Sequence, residues 1–166
     1  MKNSFLLLFA LMLTTGFSVK SQTKQEAIAK TMNERFESAD ADFQKLLAAS
    51  PTDGELFFYA GDNYLYWGEM ELAEKMFKRG SEVAPHSPLN HSGLGRIAWL
   101  KGDAAGAQTH FSKATELMTV KGSTVEKGTQ ELTYLKMAEC YTQNEKKNLD
   151  QVEQSANKNI GLPVRA

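Results

Sequence analysis

The chain has 166 residues, of which 42% are hydrophobic and 23% charged, with 19 basic against 20 acidic side chains and a single cysteine. So even a charge balance, with no basic tract, excludes nucleic acid and anionic membrane surfaces as expected partners. The lone cysteine, Cys140, excludes an internal disulfide, so stability must come from packing and Cys140 itself is expected to be a small buried apolar residue.

The first segment carries Lys2, an apolar run from Phe5 to Leu13 and a polar exit through Ser18, Lys20 and Ser21. The run falls short of the roughly 20 apolar residues of a transmembrane helix but suits the ~7–15-residue apolar core of a secretory signal peptide. Val19 and Ser21 are small enough to stand three and one positions before a cut. Residues 1–21 are therefore expected to be a cleaved signal peptide, with Gln22 the first mature residue. That predicts a periplasmic or extracellular protein with no stable membrane insertion after cleavage. Lys20 and the polar residues after it disfavour the alternative, an uncleaved anchor. No cysteine stands at the cut, so a bacterial lipid anchor is not expected.

Across residues 22–50, Ile28, Met32, Phe36, Ala39, Phe43 and Leu47 form one stripe, which predicts a single long N-terminal helix packing on the segment C-terminal to it. From there a period of thirty-four residues takes over. Pro51 and Pro85 are that far apart, as are Gly61 and Gly95, Gly68 and Gly102, Ala39, Ala73 and Ala107, and Phe43, Phe77 and Phe111. A period of ~20–50 residues marks stacked supersecondary units.

Within residues 51–121 the period divides into two helix pairs. Phe57, Ala60, Gly61 and Tyr64 share one helical face, with Asp53 placed to cap its start and Gly68 to allow the left-handed turn at its end. Ala73, Phe77 and Gly80 mark the inner face of the next helix, which ends before Pro85. The second copy reads Leu94, Gly95 and Ala98, a turn at Gly102 and Asp103 with Asp103 capping, then Ala107, Phe111 and Ala114. About nine extra residues make 122–130 a loop insertion. Residues 131–157 read as a degenerate third repeat or a polar cap: Tyr134, Met137, Ala138 and Tyr141 restore a first helix, while Asp150, Gln154 and Asn157 occupy the packing positions of the second. Residues 158–166 read as a tail. The expected fold is all-α, a short right-handed stack of antiparallel helix pairs with an N-terminal helix.

These residues resemble the tetratricopeptide repeat, a helix-turn-helix unit of this length. Gly61, Tyr64, Gly68, Ala73, Phe77 and Pro85 occupy the family's favoured positions, Phe57 supplies its large early residue and Gly80 replaces an alanine. In the second copy Leu94, Gly95, Gly102, Ala107, Phe111 and Ala114 match, while Ala98 stands for tyrosine and Thr119 for proline. Upstream, Ala39, Phe43 and Pro51 keep the second-helix positions, but residues 23–30 lack the first-helix pattern.

The resemblance implies recognition on the groove lined by the first helix of each pair. Carried across by register, the groove positions are Glu55, Phe58, Asp62, Leu65 and Tyr66, then Leu89, Ser92, Arg96, Trp99 and Leu100, then Leu132, Leu135, Glu139, Thr142 and Gln143. Aromatic and arginine side chains dominate binding hot spots, so Phe58, Asp62, Tyr66, Arg96 and Trp99 are the candidate partner-binding residues. The lysine and asparagine of the family's carboxylate clamp are replaced by Phe58, Asp62 and Ser92, which argues against a chaperone adaptor of that type. A lipid-anchored, glycan-capturing repeat protein is disfavoured by the missing anchor cysteine.

Catalytic and metal chemistry find no constellation. His86, His91 and His110 lack a second histidine three or four residues along a helix, and Cys140 has no cysteine partner, so neither metal nor cofactor is expected. Gly93, Leu94 and Gly95 form a lone Gly-x-Gly inside a repeat helix, where Gly95 serves close packing. The expected function is a non-enzymatic, exported interaction module or scaffold that binds a peptide or a subunit of unknown identity, with self-association as a further expectation. The alternative is the N-terminal module of a longer repeat protein with little independent binding.

Overall fold

A computed structural model describes residues 23–140 and 142. The expected signal peptide at 1–21, the polar positions Asp150, Gln154 and Asn157, and the tail at 158–166 lie outside the described residues.

Each helix starts and stops where local chemistry satisfies its free backbone groups. In α1, Lys24–Met32, Thr23 and Glu26 form a reciprocal capping box. α2, Phe36–Ala49, follows after three residues. In α3, Gly54–Trp67, the Asp53 carboxylate accepts from the backbone N–H of Glu55 at 2.9 Å and Leu56 at 3.2 Å, and Gly68 closes the helix at φ 90°. α4 is Met70–Val83, and α5, Pro88–Leu100, begins with a proline at a position where no N–H is needed. α6, Ala104–Thr119, is capped by Asp103, which accepts from Gly106 N at 2.8 Å. A seventh helix, α7, begins at residue 127, so the expected loop insertion at 122–130 is corrected: its last four residues are the first turn of a helix. The described residues contain no strand.

The helices pair as α1 with α2, α3 with α4 and α5 with α6, and each pair packs on the next. Glycine sets the spacing inside the pairs. A Cβ on Gly61 would sit 2.5 Å from Phe77 Cε1, and one on Gly95 would collide with the ring of Phe111. Phe77 is also pressed by Gly93 of α5, so one fully buried ring fills the space between α3, α4 and α5. Gly93 thus has the same packing role as Gly95.

The N-terminal region differs from the sequence expectation. The stripe from Ile28 to Leu47 is split into two helices, because Glu34 takes the left-handed backbone conformation at φ 57°. Arg35 N bonds back to Lys30 O at 2.9 Å, and Asn33 Nδ2 reaches Ala29 O at 2.7 Å, which closes α1. Glu34 stands thirty-four residues before Gly68, and Gly68 the same distance before Gly102, all three left-handed. Ala27, fully buried, keeps the same step to Gly61 and Gly95. The region is a helix pair in phase with the repeats, obscured in sequence by a glutamate where the pattern has glycine.

Candidate functional site

The first helices of the pairs, α1, α3, α5 and α7, are linked by polar contacts between their side chains. Thr31 on α1 donates to Asn63 Oδ1 on α3 at 2.7 Å, and Asn63 donates to Phe36 O at 3.1 Å. Asp62 on α3 pairs with Arg96 Nη1 on α5, one repeat away, and with Lys136 Nζ on α7 at 2.9 Å. Arg96 Nη2 reaches Glu139 at 3.1 Å, and Lys136 reaches the other oxygen of Glu139 at 3.2 Å. Lys136 also donates to the Tyr66 hydroxyl at 2.8 Å. The Tyr66 ring lies under both cations, 5.8 Å from the guanidinium carbon and 5.0 Å from the ammonium nitrogen.

Two cations thus meet two carboxylates in a nearly closed site, with the side chains of Asp62, Arg96 and Lys136 only 4–7% exposed and that of Glu139 27%. Burial is the largest single effect and opposes the charge on Arg96 and Lys136, but the partners together outweigh it: Asp62 with Glu139 for Arg96, and Asp62 with the Tyr66 hydroxyl for Lys136. Both side chains are held above their ordinary pKa and stay charged. Breaking such a buried set by deleting one member costs roughly 3–5 kcal/mol, because the remaining partner is left desolvated.

The structure brings Asp62, Tyr66 and Arg96 together in this network. Trp99 is half-buried and packs on the cluster of Ala107, Phe111 and Cys140. Phe58 lies below the face, fully buried against Phe77 and edge-on to Tyr59. Leu89 and Ser92, also read as groove positions, are buried as well. Lys136 was missed. Its signal in the sequence was a lysine one helical turn before Glu139, but the nine-residue insertion hid how far it reaches back.

An apolar series borders the network. Met32, Tyr66 and Leu100 fall on the thirty-four-residue step at the ends of α1, α3 and α5, and they are 59%, 42% and 45% exposed. Met32 was not among the candidates, since the helix holding it was not recognised as the first of a pair. Cys140 is buried, and burial pushes its thiol up to about 11, so it is an inert packing residue at neutral pH. Among the described residues no cluster of three or more histidine, cysteine or acidic side chains could hold a metal ion. Nor does any described helix have the length and apolarity to cross a membrane.

No family model and no curated protein matches the chain in sequence. Solved structures do match in fold. The type III secretion translocator chaperone SycD of Yersinia enterocolitica, in an alternative dimer form, aligns over 73% of this chain and 90% of its own at 20% identity and TM-score 0.57. A second SycD structure covers 73% of this chain and 82% of its own at 20% identity and TM-score 0.55. A third, in complex with a peptide of the translocator YopD, covers 72% and 90% at 19% identity and TM-score 0.55. The all-α, tetratricopeptide-like helical-repeat fold is therefore shared with these chaperones. The same neighbours correct the expected location: they are type III secretion chaperones, which points against a periplasmic or extracellular protein, and the export reading drawn from residues 1–21 is not kept.

Proposed function

We propose that this chain is a non-catalytic protein-binding module whose face of first helices holds a peptide or a neighbouring subunit. The observation that carries this reading is the exposed series Met32, Tyr66 and Leu100, repeated on three successive helix pairs beside a charge network whose members are already paired. Regularly spaced apolar side chains on a rigid scaffold are what a partner segment can cover with gain, and a tyrosine pinned at its hydroxyl is pre-ordered for contact. The fold supports the reading by analogy, since SycD, which shares it, is seen with a translocator peptide and in a dimer.

The test is partner recovery from cells of the source organism by the parent chain and by Met32→Ser/Leu100→Ser, which leaves the Tyr66 contacts to Lys136 and Arg96 in place. The expected result is a loss of at least tenfold in recovery at an unchanged melting temperature. Equal recovery by both chains rejects this face as the binding surface.

A second reading, a module within a longer repeat array, is favoured by α7. Its Tyr134 and Leu135 are 47% and 57% exposed, although Tyr134 occupies the repeat position that Phe57 buries in α3. A sharp melt of a clean monomer in sedimentation would reject it.

A further inference from the structure

Two repeat positions that are apolar in one helix pair are ionisable in the next. In the first full repeat, Phe57 on α3 and the half-buried Met76 on α4 belong to one apolar cluster. Thirty-four residues on, the same two positions hold His91 on α5 and His110 on α6. Their rings stack across the helix pair with centroids 6.2 Å apart and planes 28° from parallel. His91 Nδ1 is buried with no hydrogen-bond partner among the described residues, so this pair is packed as its apolar counterpart is packed.

We propose that the His91–His110 pair makes the second repeat a proton-sensitive joint, which holds α5 on α6 while both rings are neutral and loosens when they are protonated. A surface depression of about 650 Å³, lined by both rings with Gln108, Lys113 and Glu116 among others, gives protons and water access to the pair. Two imidazolium rings in this stack would repel each other. Lys113 of α6 adds to the field on His91 and Lys78 of α4 to that on His110, while Asp103 at the start of α6 opposes it for His110 and Glu116 lines the same depression.

The direction of the titration agrees. Burial is the largest effect on each ring, and both are held below the ordinary histidine value of 6.5. With folded-state values depressed, the unfolded chain takes up protons first as the pH falls below 6.5. The stability from the neutral pair is full above that pH and is lost as the pH falls through the folded values. Because α5 also carries Arg96 and Leu100, acid loosening would weaken partner binding. That consequence rests on the proposed function, whereas the joint itself does not.

The test compares thermal melts of the full chain between about pH 7.5 and pH 5 with those of His91→Phe/His110→Met, which installs the residues of the first repeat. Proton NMR of the imidazole C–H signals is read alongside. The parent is expected to lose roughly 5 °C more than the variant on acidification, and the two rings to titrate below 6.5. Parallel melting curves, or both rings titrating at or above 6.5, would overturn the joint. Should the double variant not fold, His110→Gln provides the comparison, with a smaller acid loss expected and an unchanged one contradicting the proposal. Binding at neutral pH tests the proposed function separately, since its absence leaves the melts and titrations interpretable.

Discussion

Neighbouring residues on α3 and α5 face two environments that are held together differently. Gly61 and Gly95 point into the seams between paired helices, where one Cβ would strike a phenylalanine ring. Asp62 and Arg96, each one residue later, point away from those seams and meet each other, together with Lys136 and Glu139 of α7. The seam is a steric fit within one repeat and its nearest neighbour. The network is an electrostatic fit that needs three repeats at once. The seam therefore fixes the shape of each unit, and the network ties the units into one face.

The strongest challenge to this contrast is at the seam. Phe77→Ala should cost about 4 kcal/mol, because it empties a fully buried site between α3, α4 and α5 that glycine backbones can only partly fill. Urea unfolding measures it, and a loss below about 1 kcal/mol would mean that the seam can collapse. On the network side, Arg96→Met should cost about 3 kcal/mol by leaving Asp62 and Glu139 with Lys136 alone. Replacing the whole set by apolar residues of similar size should restore most of that stability, which the seam cannot do for Phe77.

A smaller effect comes from the contact of α3 with α2. Tyr64 donates to Asp40 Oδ1 at 2.6 Å, and burial, then the Asp40 carboxylate, push its phenol up to about 12 from an ordinary 10.0. The folded state thus favours the protonated phenol. Stability should be full below pH 10 and fall by about 2 kcal/mol between pH 10 and 12, where the unfolded chain ionises first. Alkaline denaturation of Tyr64→Phe should lack this component. The smallest change is at the first turn, where Glu34→Gly should raise stability by about 1 kcal/mol by relieving a left-handed glutamate in the place where later repeats use glycine. No gain in the melting curve would show that Glu34 is held there by contacts of its own.

This contrast also explains what could be read from the sequence. Seam positions are small or aromatic for steric reasons that repeat with the backbone, so Gly61, Phe77, Gly95 and Phe111 carried the fold in plain view. The caps at Asp53 and Asp103 follow local rules and were legible as well. The first pair was not, because Glu34 replaces the punctuating glycine while Ala27 alone keeps the small position, and a continuous apolar stripe then reads as one helix. At the candidate site, register placed Asp62, Arg96 and Glu139 at one repeat position, but it could not tell that Phe58 would be sealed beneath the surface. Lys136 was out of reach for a different reason. Asp62 and Tyr66, its partners on α3, lie across the residues that break the period before α7, and nothing in its immediate neighbourhood reports the long reach of its side chain.

The central claim, that three repeats are locked into one face by a shared charge network, is tested most directly by a double-mutant cycle on Asp62 and Lys136. With Asp62→Asn, Lys136→Met and the double variant measured by urea unfolding, the coupling between these distant positions should exceed about 1 kcal/mol. Additive effects within about 0.3 kcal/mol would contradict it, and would mean that α7 is not tied to α3 in solution.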